Sequence, residues 1–174
     1  MATFWSWLVK GTGNGPGIKR FMDWWIVFHI SVGGILAYLL PIPLKDAATS
    51  LLLPVAGIFI GLSFAWGGNA QALLQSSEIE SVSTFKEGGF EDYVYTFQAA
   101  ILLILVTLVL WGIAGLGVYD SVWPVCQSGL IYKAVAGILF FFSSMTIREC
   151  WHVVLGAQSL LLVRYRVRNS GNDR

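Results

Sequence analysis

Gly137 to Arg168 reads GILFFFSSMTIRECWHVVLGAQSLLLVRYRVR, and the fold turns on how this stretch is taken. It begins as sequence that lipid tolerates, meets the charged pair Arg148 and Glu149, and continues as a second apolar run ending in Arg164, Arg166 and Arg168. A membrane helix that does not stop at the membrane accounts for both halves. At about 1.5 Å per residue, a span starting near Gly129 crosses a hydrocarbon core of about 30 Å by roughly Glu149. Arg148 and Glu149 are therefore expected at the inner headgroup level, snorkelling or pairing with each other. Beyond them, Trp151 to Arg168 is an apolar and basic surface that another subunit or a partner is expected to bury.

Composition supports a bilayer setting. The 174 residues are 56% hydrophobic and 12% charged, about half the charged share of an average soluble domain. Cys126 and Cys150 fall on opposite sides in this reading, which makes a disulfide between them geometrically improbable. No cleavable signal peptide is expected, because the apolar run Phe4 to Val9 is too short for one.

Outward from the defining stretch, three further spans are expected. Residues 1–22 combine the aromatic FWSWLV with Lys10, Lys19 and Arg20, as an interfacial anchor requires. Trp24 to Leu40 is the first span, with Asp23 as a candidate cap, Gly33 and Ala37 as a close-packing face, and His29 as its one titratable residue. His29 is either a packed, hydrogen-bonded imidazole or a functional group, since an ionisable side chain in lipid is expensive. The second helix starts near Leu51, with Thr49 or Ser50 as its cap and Pro54 in its first turn. Gly57, Gly61 and Ala65 form a small-residue ridge along it. The third runs from Gln98 to Val118. The loop 76–92 is net acidic through Glu78, Glu80, Glu87, Glu91 and Asp92 against Lys86 alone.

With both termini cytoplasmic, Lys10, Lys19, Arg20, Lys86, Arg148, Arg164, Arg166, Arg168 and Arg174 lie inside, nine of the eleven basic residues. The positive-inside rule favours that orientation. The expectation is an all-α polytopic protein of the bacterial inner membrane with four transmembrane helices. Helices two and four extend into the cytoplasm, residues 23–168 form one domain, and 169–174 are a tail.

Chemistry-bearing motifs are sparse. No hydrolytic triad, HExxH site, P-loop or dinucleotide fingerprint occurs, so no enzyme, cofactor, metal or direct nucleic-acid contact is expected. Ser144, Arg148 and His152 share a face of the fourth helix at i, i+4 and i+8. That face either lines a conduit in an oligomer, as a polar stripe and cationic ring do in gated pores, or packs between helices. Glu78, Glu80 and Glu87, together with Arg164, Arg166 and Arg168, form the expected docking surface for a cytosolic protein.

The layout as a whole has four spans between Trp24 and Val163, a cytoplasmic Ser76 to Asp92 loop and the RYRVR end. It resembles the small four-span membrane components of bacterial anti-phage systems and is similar to KwaA of the Kiwa system. That resemblance implies a homo-oligomer, a tetramer, which senses phage-induced change at the membrane and holds a soluble DNA-binding effector at its cytoplasmic surface. It transfers no site residue. Two functions follow, a non-enzymatic membrane sensor and scaffold, or an oligomeric ion channel. A small transporter is disfavoured by the lack of paired buried carboxylates and broken helices.

Overall fold

A computed structural model describes residues 4–10, 17–40, 42–74, 89–122 and 129–172, and within them every regular element is a helix. The elements are α1 (Phe4–Lys10), a 3-10 turn (Gly17–Arg20), α2 (Trp25–Leu39), α3 (Leu44–Ala47), a π turn (Ala48–Leu52), α4 (Leu53–Leu74), α5 (Gly89–Gly115), α6 (Val118–Val122) and α7 (Leu130–Asn172). The defining stretch lies inside α7, a single helix of 43 residues and about 65 Å. α7 is also the hub, because α2, α4 and α5 all pack against it.

Two helices among the described residues are long and apolar enough to cross a membrane, Val94–Gly115 in α5 and Leu130–Ser159 in α7. The first expected span is shorter: α2 has 15 residues, about 22 Å by rise. It stops because Leu40 precedes Pro41 and is pushed to an extended conformation (φ −94°, ψ 102°).

The second expected helix begins differently from the sequence reading. The chain is already helical at Leu44 and reaches Leu74 without leaving helix, so Thr49 and Ser50 are not caps. Thr49 Oγ1 instead donates back to the Lys45 carbonyl at 3.0 Å. Pro54 explains the π turn. It has no N–H to give and its ring crowds the carbonyl four residues earlier. The chain widens just before it, and the Leu53 N–H bonds the Ala48 carbonyl, five residues back.

The start of α3 is capped from elsewhere in the chain. Tyr132 Oη accepts from the Leu44 N–H at 2.9 Å and donates to Asp120 Oδ1 at 3.0 Å. Asp120 Oδ2 accepts from the Lys45 N–H at 3.2 Å. Two first-turn donors that the helix cannot satisfy itself are thus met by α6 and α7. Around this network, Leu44, Ala48, Trp111, Ala114, Leu139 and Phe140 form the main buried cluster. Tyr132→Phe should lower stability by about 1–3 kcal/mol, the penalty for a buried donor left without an acceptor. Thermal unfolding in detergent checks this, with Tyr165→Phe at an exposed position expected to leave the midpoint unchanged.

α1 lies against α5 and the 3-10 turn. Trp7 is fully buried beside Tyr95, with ring centroids 5.7 Å apart. Trp5 is 64% exposed and points the other way. The segment therefore has one face on the body of the protein and the other exposed.

Candidate functional site

The α2–α7 seam brings together four of the polar groups that the sequence singles out, Asp23, His29, Ser144 and Arg148. Gly33 makes the approach possible: a Cβ built there would lie 2.6 Å from the Gly137 carbonyl oxygen and 3.0 Å from the Phe141 nitrogen. One turn on, a Cβ built at Gly137 would lie 3.8 Å from the Ala37 Cβ. With the backbones this close, short side chains reach across. His29 Nδ1 and Ser144 Oγ are 2.7 Å apart, and His29 is buried. Continuing along the seam, Arg148 Nη2 lies 3.5 Å from Asp23 Oδ2.

Two atoms in this seam are buried without a hydrogen-bond partner, His29 Nε2 and Arg148 Nη1. In apolar surroundings an unmade hydrogen bond costs more than a made one contributes. The seam is therefore a polar strip held in a packed interface at some energetic expense. Asp23 does not cap α2 in the expected way. Its Oδ1 accepts from the adjacent Trp24 N–H at 2.6 Å, and the N-cap position is Trp24, with helical angles.

A second polar strip joins α7 to α5. Trp111 Nε1 donates to Ser143 Oγ at 2.7 Å, and Ser143 passes its own proton to the Leu139 carbonyl at 3.0 Å. Thr107 and Thr146 hydroxyls meet at 2.8 Å. Adjacent side chains of α7, Ser143 and Ser144, thus reach α5 and α2 respectively from the same turn. These are the interhelical bonds expected where no water can satisfy a hydroxyl or an indole N–H.

The Ser144, Arg148, His152 face divides. Ser144 contacts His29 of α2 and Arg148 contacts Asp23 just before it, whereas His152 is exposed. Glu149, which the sequence reading placed beside Arg148 at the headgroups, is only 1% exposed. It points inward because adjacent helix residues diverge by about 100°. Gly57, Gly61 and Ala65 of α4 face outward, with open space around both glycines. Gly67, absent from the expected ridge, is the α4 position where a neighbour comes close: its Cβ would collide with the Phe97 ring.

The helix α7 carries Arg164, Arg166 and Arg168 on its final turns, while Glu78, Glu80 and Glu87 lie outside the described residues. Asp23, Trp111, Tyr132 and Asp120 were missed as site or seam partners. Only Asp23 offered a signal, as an acid two residues before an apolar helix in a chain that also carries a mid-helix arginine. No family model matches the chain, and neither the curated proteins nor the solved structures contain a match to it.

Proposed function

We propose that the chain is a non-enzymatic subunit of the bacterial inner membrane that oligomerises and presents a cytoplasmic surface to a soluble protein partner, as a sensor and scaffold. The observation that carries this reading is α7. Its apolar stretch, Leu130–Ser159, has 30 residues, about 45 Å against a core of about 30 Å. The helix then runs on to Asn172 with three arginines near its end. On the outer face of this rod Trp151, Leu155, Leu161, Leu162 and Tyr165 are exposed in the single chain. Exposed apolar side chains of that kind, on a helix whose sequence ends in arginines, suit a protein interface.

Four crossings, with both termini cytoplasmic, remain our topology. α2 supports it by its surface. Trp25, Val27, Phe28, Ile30 and Ile35 are exposed while only a narrow stripe through His29 and Gly33 is buried. A helix apolar all round with so little of it covered requires lipid or further protein. α4 adds 22 residues, about 33 Å. Its outward Gly57, Gly61 and Ala65 suit a contact between copies. A role in anti-phage defence, with nucleic acid read by the partner, is the setting that the layout suggests.

The channel reading is weaker for a specific reason: Ser144 and Arg148 already have partners within their own chain, His29 and Asp23. The test is purification from the host in gentle detergent, followed by charge reversal. Arg164→Glu/Arg166→Glu/Arg168→Glu, or Glu78→Lys/Glu80→Lys/Glu87→Lys, should reduce recovery of one defined cytosolic partner about tenfold or more, equivalent to about 1.4 kcal/mol. The mass of the membrane oligomer should not change. Loss of the oligomer together with the partner would overturn the assignment of these charges to docking.

A further inference from the structure

A groove under α1 is unused by the polar seams and by the cytoplasmic rod. It forms a cavity of about 340 Å³ between α2, α5 and α7, walled by apolar side chains that include Leu8, Met22, Ile26, Ala99, Val106 and Met145. On α5 its walls run from Ala99 to Val106, about 10 Å along the axis, and begin about 7 Å inside the apolar stretch that opens at Val94. The same end of the bundle carries exposed Trp24 and Trp25, and Trp7 packed on Tyr95. Indole and phenol rings mark the headgroup zone. The groove therefore lies just below that zone, at the depth of acyl chains.

The segment that roofs the groove is cationic: Lys10 at the end of α1 and Lys19 in the 3-10 turn are both exposed, within two residues of the wall residues Leu8 and Phe21 in sequence. The nearby acid, Asp23, is turned to Arg148. We propose that this groove holds one acyl chain of an anionic glycerophospholipid, with its phosphate drawn to Lys10 and Lys19. The volume fits a single alkyl chain and lies at the lower end of small-ligand sites. Cations beside the inner leaflet attract anionic lipid, and a wholly apolar wall gives a zwitterionic lipid no countervailing headgroup contact. The inference rests on the proposed topology, in which this end faces the cytoplasmic leaflet.

The experiment uses the full chain in phosphatidylcholine vesicles with a trace of phosphatidylglycerol or phosphatidylcholine bearing a photoreactive diazirine at mid-chain. Labelled peptides are then identified. The phosphatidylglycerol probe should mark Leu102–Val106 and Phe142–Met145 about thirtyfold more strongly than the phosphatidylcholine probe, the preference expected from two lysines near the surface. Lys10→Glu/Lys19→Glu, at exposed positions, should abolish the preference. Val106→Trp should fill the groove and remove labelling by both probes there while labelling of exposed α2 persists. Equal labelling by the two probes, or groove labelling that survives Val106→Trp in a protein with unchanged melting, would overturn the lipid site and leave the topology standing. Release of the wild-type chain from vesicles by alkaline carbonate would overturn the topology and the lipid site together.

Discussion

Gly33→Leu should separate α2 from α7 and produce the largest loss of stability of any single substitution in the seam. The reason is that both obstacles are backbone. A Cβ at Gly33 would sit 2.6 Å from the Gly137 carbonyl oxygen and 3.0 Å from the Phe141 nitrogen, and neither can rotate away as a side chain would. Overpacking a core ordinarily costs about 1–3 kcal/mol. Here the relief requires moving a whole helix, which would also break the His29–Ser144 contact, so an effect of about 3 kcal/mol or more is expected. For a chain of this length that is a fall of roughly 6–12 °C in the melting midpoint.

Two neighbours serve as internal controls for that result. Gly34 has open space where a Cβ would go, so Gly34→Ala should be neutral or gain up to about 1 kcal/mol from helix propensity. A Cβ at Gly137 meets Ala37 and Gly33 at ordinary distances of 3.8 Å or more, so Gly137→Ala should also be tolerated. Melting of Gly33→Leu within about 2 °C of wild type would mean that the two helices are not packed as described.

These contrasts show what the sequence made legible. The continuity of α7 through Arg148 and Glu149 could be read because apolar residues resume immediately after the charged pair, no proline follows, and Gly156 is the lone glycine before Gly171. The close-packing face at Gly33 and Ala37 could be proposed from spacing, but not its partner. Nothing local distinguishes Gly137 from Gly57 or Gly61, yet Gly137 is packed against α2 while the other two face open space. Pro54 was visible, and its consequence was not. A proline in a first turn needs no distortion, and the π turn follows only because the chain is already helical from Leu44. That early start depends in turn on Tyr132 and Asp120, 88 and 75 residues away from the N–H groups they receive. The seam partner of Arg148 was hidden for the same reason, since Asp23 lies far from it in sequence and is joined to it by the antiparallel course of α2.

The Asp23–Arg148 pair should respond asymmetrically to mutation. The arginine side chain is 16% exposed and the aspartate 53%, so the two charges have different alternatives when separated. Asp23→Ala leaves a largely buried guanidinium whose Nη1 already lacks a partner. Removing one member of a fully buried pair costs about 3–5 kcal/mol, and the exposure of Asp23 reduces this to about 2–3 kcal/mol. Arg148→Met keeps the aliphatic packing of the stem and leaves a carboxylate that can turn to water at the positive end of the α2 dipole. It should cost under about 1 kcal/mol, because the arginine's own desolvation is relieved. With the buried charge gone the aspartate matters little. Asp23→Ala/Arg148→Met should therefore melt within about 1–2 °C of Arg148→Met alone, and the double-mutant cycle should show coupling of about 2 kcal/mol. The same variants separate the two functional readings. A seam residue changes stability and leaves reconstituted bilayers electrically silent, whereas a pore-lining arginine changes ion conductance at unchanged melting. Conductance that responds to Arg148→Met while the cycle shows no coupling would return this face of α7 to the pore.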